Sequence, residues 1–191
     1  MKQLKRLLEF RDGPTFPGDF DPIAASVISR PAGAFAQAII VSAGSADGVE
    51  VNAPVVNGDG LIGLVTRVTT HASRVTLLTD EQSAVSALDA KTDAAGVVGQ
   101  GPGIGATLEL DRVSKDKDVR VGDTIVTAGW RSAQRSSLYP KGIPIGVVTS
   151  VGQTDTDLYK QVQVQPFADF SALDAVIVLV RKTAPATGTV R

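Results

Sequence analysis

The sequence contains no cysteine and only one histidine, His71, and these two shortages exclude most familiar catalytic chemistry. Without cysteine the chain has no disulfide, no thiolate nucleophile and no cysteine metal site. A zinc site would need His71 together with carboxylates, and a mechanism that requires two histidines is excluded. We therefore expect no metal site and no cofactor, and we predict that the protein is not an enzyme.

Long apolar runs and an excess of charge of one sign are also missing. No window approaches the roughly 18 consecutive apolar residues of a membrane-spanning helix, and the first residues lack the apolar region of a signal peptide. Lys and Arg number 19 against 20 Asp and Glu, for a formal net charge of -1. A nucleic-acid-binding domain normally carries a basic patch, so nucleic acid is not an expected partner. The length of 191 residues suits one large domain or two small ones.

Residues 1–12 form the one convincing helical stretch. Apolar side chains recur three and four residues apart along it: Met1, Leu4, Leu7, Leu8. This spacing fits a coiled-coil seam, and the stripe starts without an N-cap, so we interpret it as the end of a longer coiled coil that self-associates. A helix packed on its own domain is the alternative. Residues 13–22 contain three prolines and two glycines and are interpreted as a linker.

From Ile23 onward the pattern predicts an all-β protein. Short segments rich in Val, Ile and Leu alternate with turn residues, as in a barrel or a sandwich. Asn57–Gly60 is a strong hairpin signal between two of these segments, since Asn and Gly accept positive φ. Val176–Val180 has no polar face, and we expect it to be buried on both sides. The polar residues 183–191 are predicted to be a flexible tail.

An internal repeat divides the β region in two. Gly60–Val68 matches Ile143–Val151, and each copy follows a V-x-V segment that we interpret as a strand. Gly63 and Gly146, the glycines within the two copies, are predicted at barrel bends. We therefore expect two small β-barrel domains, the first over residues 23–95 and the second over residues 96–182, with strands of one allowed to complete the other.

Two candidate catalytic features are weak. The glycines of Gly99–Gly105 suggest a phosphate-binding loop, but the segment after them alternates like a strand, and a phosphate loop requires a helix there. A β-turn is the better interpretation. His71, Asp80 and a serine are compatible with a hydrolase triad, but the chain has no G-x-S-x-G nucleophile elbow. A hydrolase on a chymotrypsin-like barrel remains a rival hypothesis.

The second unit contains a long excursion, Ala128–Lys141, that concentrates the residue types enriched at binding hot spots. Its candidate contact residues are Trp130, Arg131, Arg135, Leu138 and Tyr139. We predict that they contact a partner protein, and we also expect exposed sheet edges to bind by strand addition. The alternative is that Trp130 and Tyr139 only cap the end of their barrel.

Taken together, short phrases of the sequence resemble the MreC family of bacterial rod-shape-determining proteins. In order, they are Leu4–Leu8 before a Gly/Pro break, Gly48–Val49, Gly60–Val65, Leu77–Asp80, Val121–Gly129, Tyr139–Gly146 and Pro166–Phe170. The resemblance covers roughly residues 23–180, and its specificity lies in the order and spacing of the phrases. One segment departs from the pattern: Arg131–Leu138 is longer and more basic, so no partner footprint is transferred onto it.

The resemblance implies a membrane-spanning helix and a coiled coil ahead of two barrels on the outer face of the bacterial cytoplasmic membrane, in the periplasm, with the anchor absent from this chain. It implies a non-enzymatic scaffold that self-associates and organises peptidoglycan synthesis during cell elongation. The partners implied are a second copy, a class B penicillin-binding transpeptidase, RodA, MreD and, across the membrane, MreB. A periplasmic adaptor barrel of an efflux or secretion assembly is the second rival, although such adaptors usually contain a helical hairpin.

Overall fold

Strands make up nearly all the regular structure of the residues that the structure describes. The structure is a computed structural model that describes residues 5, 8–9, 12–13, 16–30, 37–102, 107–129, 137–152 and 158–182. Lys5, Leu8 and Glu9 are helical, and the N–H of Asp12 donates to the carbonyl of Leu8 (2.9 Å). The rest of the predicted coiled-coil stripe (Met1, Leu4 and Leu7) and the predicted tail 183–191 lie outside the described residues.

The described strands form two closed barrels of six strands each, which confirms the prediction of two small β-barrels. The first barrel has the order β1-β12-β3-β4-β5-β2 and consists of β1 (Phe20–Ser29), β2 (Ala38–Val41), β3 (Pro54–Val56), β4 (Leu61–Val68), β5 (Ser73–Leu77) and β12 (Ala175–Arg181). The second has the order β10-β11-β8-β7-β6-β9 and consists of β6 (Val85–Asp89), β7 (Ala95–Gln100), β8 (Leu108–Ser114), β9 (Thr124–Thr127), β10 (Pro144–Gly152) and β11 (Tyr159–Pro166). A short 3₁₀ helix, Ser45–Asp47, follows β2. All strand pairs are antiparallel, and closure removes the open sheet edges that strand addition requires.

The two barrels share part of their core through β12. Val176 and Val178 pack with the interior of the first barrel, whereas Ile177 and Leu179 belong to the hydrophobic cluster that fills the second barrel and continues across the junction to residues such as Phe20. Successive side chains of a strand point to opposite faces, so one strand supplies both clusters. This confirms that the apolar run near the end of the chain is buried on both sides, and its physical reason is the junction of the two barrels.

The internal repeat is visible in the register of the strands. The pairing of β4 with β5 shifts between Val65 and Arg67, and that of β10 with β11 shifts between Val148 and Ser150, at equivalent places in the repeat. A Cβ at Gly63 would overlap the backbone of β5, and one at Gly146 would overlap the backbone of β11. The glycines are therefore required by close strand approach, and a β-bulge increases the local twist of each barrel.

The predicted hairpin at Asn57–Gly60 joins β3 to β4. The side-chain Oδ1 of Asn57 accepts the N–H groups of Asp59 and Gly60, both at 2.9 Å, and the N–H of Asn57 donates to the carbonyl of Gly60 (2.9 Å). Gly60 adopts a φ of +158°, and its Cα faces the carbonyl of Pro144 in the second barrel so closely that a Cβ would overlap it. This turn thus forms part of the junction between the barrels.

The strand membership differs from the sequence division at residue 95. Val85–Asp89 pairs with β7 and β9 of the second barrel, and Ala175–Arg181 closes the first barrel between β1 and β3. The V-x-V segments at Val49–Val51 and Val119–Val121 are not strands. In each, the first valine is buried and the last is exposed, because the segment crosses the end of its barrel and inserts one side chain into the interior.

Candidate partner-contact sites

The excursion between β9 and β10 is held against its barrel at both ends. The hydroxyl of Thr127 donates to the carbonyl of Pro140 (2.5 Å) and accepts the N–H of Ile143 (2.9 Å), and Thr127 is fully buried. Gly129 has a φ of +53°, and a Cβ there would overlap the backbone of Lys141. A buried hydroxyl that is satisfied as donor and acceptor costs little to bury, so Thr127 fixes where the excursion leaves and rejoins the barrel.

The structure places the two described candidate residues of the excursion on opposite sides of the chain. Tyr139 is buried, 8% exposed, and its N–H donates to the Oγ of Ser137 (3.2 Å). Burial raises the pKa of the Tyr139 phenol to about 12. Leu138 is 44% exposed and faces solvent. Tyr139 is therefore an internal anchor, and Leu138 is the side chain that a partner can reach.

The other three candidates of this set, Trp130, Arg131 and Arg135, lie outside the described residues. The described residues on either side of that segment, Gly129 and Ser137, do have defined positions. Gly129 and Ser137 both border a crevice of about 210 Å³ at the junction of the barrels. The two described residues that flank this segment in the sequence therefore lie at the crevice, and the exposed Leu138 follows directly after Ser137.

Arg181 links the crevice to the first barrel. Its guanidinium lies 5.4 Å from the centroid of the Phe20 ring, and its Nη2 donates to the carbonyl of Ser137 (2.5 Å). A guanidinium over an aromatic face is a favourable cation–π contact. Because Phe20 opens β1 and Arg181 ends β12, this contact joins the first and last strands of the first barrel to the excursion of the second.

A second apolar surface, at the opposite end of the second barrel, was not predicted. At this end β8 and β10 end, and β9 and β11 begin. The first residue of β11, Tyr159, pairs with the last residue of β8, Ser114, and the first residue of β9, Thr124, pairs with Val147 of β10. The exposed large apolar side chains described at this far end are Val121 (66% exposed), Leu158 (82%) and Tyr159 (46%). The only signal in the sequence is an apolar pair directly after a polar loop, which is also typical of the start of a strand.

Two buried aspartates lie at the same far end. Asp89 is fully buried, and its Oδ1 accepts the N–H groups of Lys91 (2.7 Å) and Thr92 (3.3 Å). Asp123, 4% exposed, accepts the N–H of Arg120 (2.8 Å) and a hydrogen bond from the ammonium of Lys91 (3.1 Å). The Arg120 N–H, followed by the Lys91 side chain, holds the pKa of Asp123 below its ordinary value. The turns at this end therefore depend on an ionised carboxylate.

The predicted self-association surface is described at one position. Leu8 is 43% exposed on the helical segment, and Lys5 and Glu9 on the same segment approach to 3.9 Å. An exposed apolar side chain beside an i,i+4 ion pair is typical of one face of a helix. Met1, Leu4 and Leu7, which complete the stripe, lie outside the described residues, so the surface remains a prediction.

The catalytic candidates are not brought together. His71 is exposed in the turn before β5, and Asp80 uses its Oδ1 to accept the N–H of Gln82 (2.8 Å) in the turn after β5. Over the described residues no three His, Asp or Glu side chains lie close enough to hold a metal ion. The glycine-rich segment joins β7 to β8, with the N–H of Gly101 donating to the carbonyl of Thr107 (2.9 Å), and a strand rather than a helix follows it. No helix in the described part of the chain is long and apolar enough to cross a membrane.

The described residues form an all-β protein of two joined barrels, with exposed apolar side chains at both ends of the second barrel. Residues 27–180 match the model of the family described as rod shape-determining protein MreC, barrel core. The chain therefore belongs to the MreC family, and the resemblance drawn from its sequence phrases is confirmed. Proteins of this family are named for determining cell shape.

Known relatives agree in sequence and in fold. The chain is 32% identical over 97% of its length to the cell shape-determining protein MreC of Listeria monocytogenes, of which it covers 61%. It is similar to a solved MreC structure with a TM-score of 0.82, at 26% identity, covering 94% of this chain and 96% of the other. The chain spans 42% to 61% of the length of the curated relatives that it matches.

One solved structure of the same fold contains a partner. It is described as a complex between penicillin-binding protein 2 and MreC from Helicobacter pylori, and the chain is 16% identical to it with a TM-score of 0.67, covering 86% of this chain and 99% of the other. At this identity the likeness shows the shared fold. The complex with the penicillin-binding protein is a property of that relative.

Proposed function

We propose that this protein is a non-enzymatic scaffold of the bacterial cell-elongation machinery that organises peptidoglycan-synthesising enzymes and so maintains rod shape. The observation that supports this most is the continuous hydrophobic cluster across the two barrels, which includes Phe20, Ile177 and Leu179 of the first and Tyr139 of the second. Barrels that share a packed core hold their outer surfaces at a defined separation. A scaffold needs such fixed surfaces more than it needs a catalytic group.

The first proposed partner is a class B penicillin-binding transpeptidase. The family membership and the complex formed by the Helicobacter pylori relative support it. We assign its contact to the excursion, with Leu138 exposed at the described end and Trp130, Arg131 and Arg135 beside it in the sequence. Tyr139, the residue after Leu138, is buried in the hydrophobic cluster and anchors this part of the excursion to the barrel. Trp and Arg at the centre of an interface carry a large share of binding free energy.

Binding of the extracytoplasmic part of the cognate transpeptidase tests this assignment. We expect Leu138→Asp and Trp130→Ala each to weaken binding at least about tenfold, which corresponds to about 1.4 kcal/mol. Val121→Asp is the matched control, because Val121 is an exposed apolar side chain at the other end of the same barrel. Weaker binding by Val121→Asp, with Leu138→Asp unchanged, would move the contact to the far end.

Self-association through the N-terminal helix is the second part of the proposal. A coiled-coil seam formed by Met1, Leu4, Leu7 and Leu8 would bring two copies together and raise their combined affinity for partners. Replacing Leu4 and Leu8 by Asp is expected to reduce the mass in sedimentation from dimer to monomer. Lys5→Gln is the control, because Lys5 lies outside the stripe. A dimer that survives the double replacement removes the helix from self-association.

Family membership supports the remaining proposed partners and the proposed location. RodA and MreD are proposed as further partners at the membrane, and MreB as an indirect partner across it. The proposed location is the periplasmic face of the cytoplasmic membrane, held there by an N-terminal anchor. Crosslinking in cells of the full-length protein to RodA and MreD, with the Leu138→Asp variant alongside, separates contacts made by the barrels from contacts made by the anchor.

A further inference from the structure

The two barrels have the same strand arrangement, including the place of the sixth strand. Around the first barrel the order is β3-β4-β5-β2-β1-β12, and around the second it is β9-β10-β11-β8-β7-β6. Thus β12 lies between β1 and β3 just as β6 lies between β7 and β9. The strands β6 and β12 are equivalent closing strands, each completing a barrel of five consecutive strands.

The connections that lead to the closing strands are equivalent as well. After β5, the N–H of Leu78 donates to the carbonyl of Ile62 (3.0 Å), and after β11 the N–H of Phe167 donates to the carbonyl of Ile145 (3.0 Å). Each connection then makes a turn in which an aspartate side chain accepts the N–H two residues later: Asp80 from Gln82 (2.8 Å) and Asp169 from Ser171 (2.9 Å). Each five-strand unit is therefore followed by the same connection and the same closing strand.

Neither closing strand completes the unit that it follows. The strand β6 follows β1–β5 but closes the second barrel, and β12 follows β7–β11 but closes the first. This is a reciprocal exchange of equivalent strands, and it resembles the exchange of one element between the subunits of a domain-swapped dimer. Here both units belong to one chain.

We propose that the chain is a pair of six-strand units with exchanged closing strands, and that the closing position of the first barrel also accepts β12 of a second copy. We call the gap between β1 and β3 the slot of β12. The contacts that hold β12 are made by the strand itself with this slot and do not depend on the connection that precedes the strand. They are the ladder from Phe20–Arg181 to Ser26–Ala175 and the buried side chains of Val176 and Leu179. A second copy offers the same strand and the same slot.

The connection identifies the hinge of this exchange. Leu173, 1% exposed, packs in the first barrel, and Arg30 of the first barrel contacts the connection twice, through Nη2 to Asp174 Oδ1 (2.6 Å) and through Nη1 to the carbonyl of Ser171 (2.9 Å). These contacts travel with β12 and form again on the accepting copy. Phe167, 40% exposed, remains bonded to the second barrel. The chain must therefore change direction between Phe167 and Ala168.

Concentration decides which copy is used. Within one chain, a short connection gives the strand an effective concentration in the millimolar range. Because the contacts are the same, exchange between copies becomes competitive when the protein itself reaches about 1 mM. In chains that also carry Leu8→Asp, which removes helix pairing, we therefore expect a monomer in dilute solution and a species of doubled mass after refolding at about 1 mM.

The absence of cysteine allows a direct test on the full chain. Asp21 pairs with Val180 across the β1–β12 ladder, and opposed residues of antiparallel strands lie within disulfide range. Chains with Asp21→Cys and chains with Val180→Cys are refolded together at about 1 mM and oxidised. A crosslink between the two variants forms only where β12 of one copy occupies the slot of the other. A mixture of chains with Asp21→Cys and chains with Ser150→Cys, an exposed position in β10, measures the amount of crosslinking that random collision produces.

A locked variant completes the test. Asp21→Cys and Val180→Cys in one chain, oxidised in dilute solution, fix β12 in its own barrel and are expected to abolish the doubled mass. All samples also carry Leu8→Asp, so that helix pairing and strand exchange are measured separately. Crosslinking at the collision level, or equal association by the locked variant, overturns the proposal; neither result bears on the proposed scaffold function.

Discussion

The two barrels have one architecture but depend on the chain in different ways. The second barrel is built from the consecutive strands β6 to β11, whereas the first cannot close until β12 returns from beyond the second barrel. Contacts between residues far apart in sequence form slowly, because the closure of a long loop costs entropy before the contacts compensate it. Equivalent barrels can therefore have very different folding requirements.

The largest effect that distinguishes the barrels is expected from removing β12. A chain that ends after residue 172 loses the strand between β1 and β3 and leaves the interior of the first barrel open. We expect amide protection in β1–β5 to disappear, while β6–β11 stay protected because their strands are all present. Hydrogen exchange measured by strand reports both barrels in one experiment.

The matched control for this truncation is a chain that ends after Lys182. It keeps the β12 ladder intact, with Phe20 opposite Arg181, so protection is expected to be unchanged. If amide protection in the first barrel is the same in the shorter chain and in the control, the claim that the first barrel needs β12 to close is wrong. If it loses protection in both barrels, the second barrel depends on the junction for its own stability.

Alternate residues of β12 sharpen the comparison further. Leu179→Ala is expected to lower the free energy of unfolding by about 2–5 kcal/mol, and to affect both barrels, because Leu179 is buried in the cluster that spans them. Val178→Ala removes less side chain from the first barrel interior and is expected to affect that barrel alone. Chemical denaturation followed by strand-specific hydrogen exchange separates the two patterns. Equal effects on both barrels from Val178→Ala would contradict the division of the core.

The repeated glycines allow the same change in each barrel. Gly63→Ala and Gly146→Ala each place a Cβ against a neighbouring strand backbone, at Thr76 and Gln165 respectively. Overpacking of this kind costs about 1–3 kcal/mol. We expect similar losses from the two variants in thermal unfolding. Gly18→Ala is the control, since a Cβ there meets nothing. A loss from only one of the two replacements would mean that the repeat is not structurally equivalent at this point.

The smallest predicted difference concerns acid. The pKa of Asp123 in the second barrel is lowered by the Arg120 N–H and then by the Lys91 side chain. A carboxyl with a lower pKa in the folded state contributes stability above its unfolded pKa, and that stability is lost as the pH falls through the folded value. The second barrel should therefore lose protection first on acidification, and Asp123→Asn should flatten this dependence. An unchanged pH profile of the variant would exclude Asp123 as the cause.

Local patterns predicted the parts of the fold that local contacts determine. The hairpin at Asn57–Gly60 depends on hydrogen bonds within four residues, and the run Val176–Val180 needs only burial on both faces. The sequence analysis allowed strands of one barrel to complete the other but did not identify β6 and β12 as those strands, because the positions that they fill are alike and the choice depends on distant geometry. The division at residue 95 failed to place β6 for the same reason.

The candidate site was predictable only in part. Residue types singled out the excursion, and the structure leaves Leu138 of that set exposed. The type of a residue does not show whether its side chain points into the core or toward solvent. The burial of Tyr139 and the exposure of Val121 and Leu158 are therefore known only from the structure. The last two lie where strands begin or loops cross, and there an apolar side chain lacks a neighbour to cover it.

The measurement that tests the scaffold most directly is the light-scattering mass of this chain, alone and mixed with the extracytoplasmic part of its cognate class B penicillin-binding transpeptidase. We predict a self-associated species whose mass increases on mixing, and an increase that Leu138→Asp reduces while Val121→Asp does not. A monomer with a mass unaffected by the transpeptidase would contradict the account.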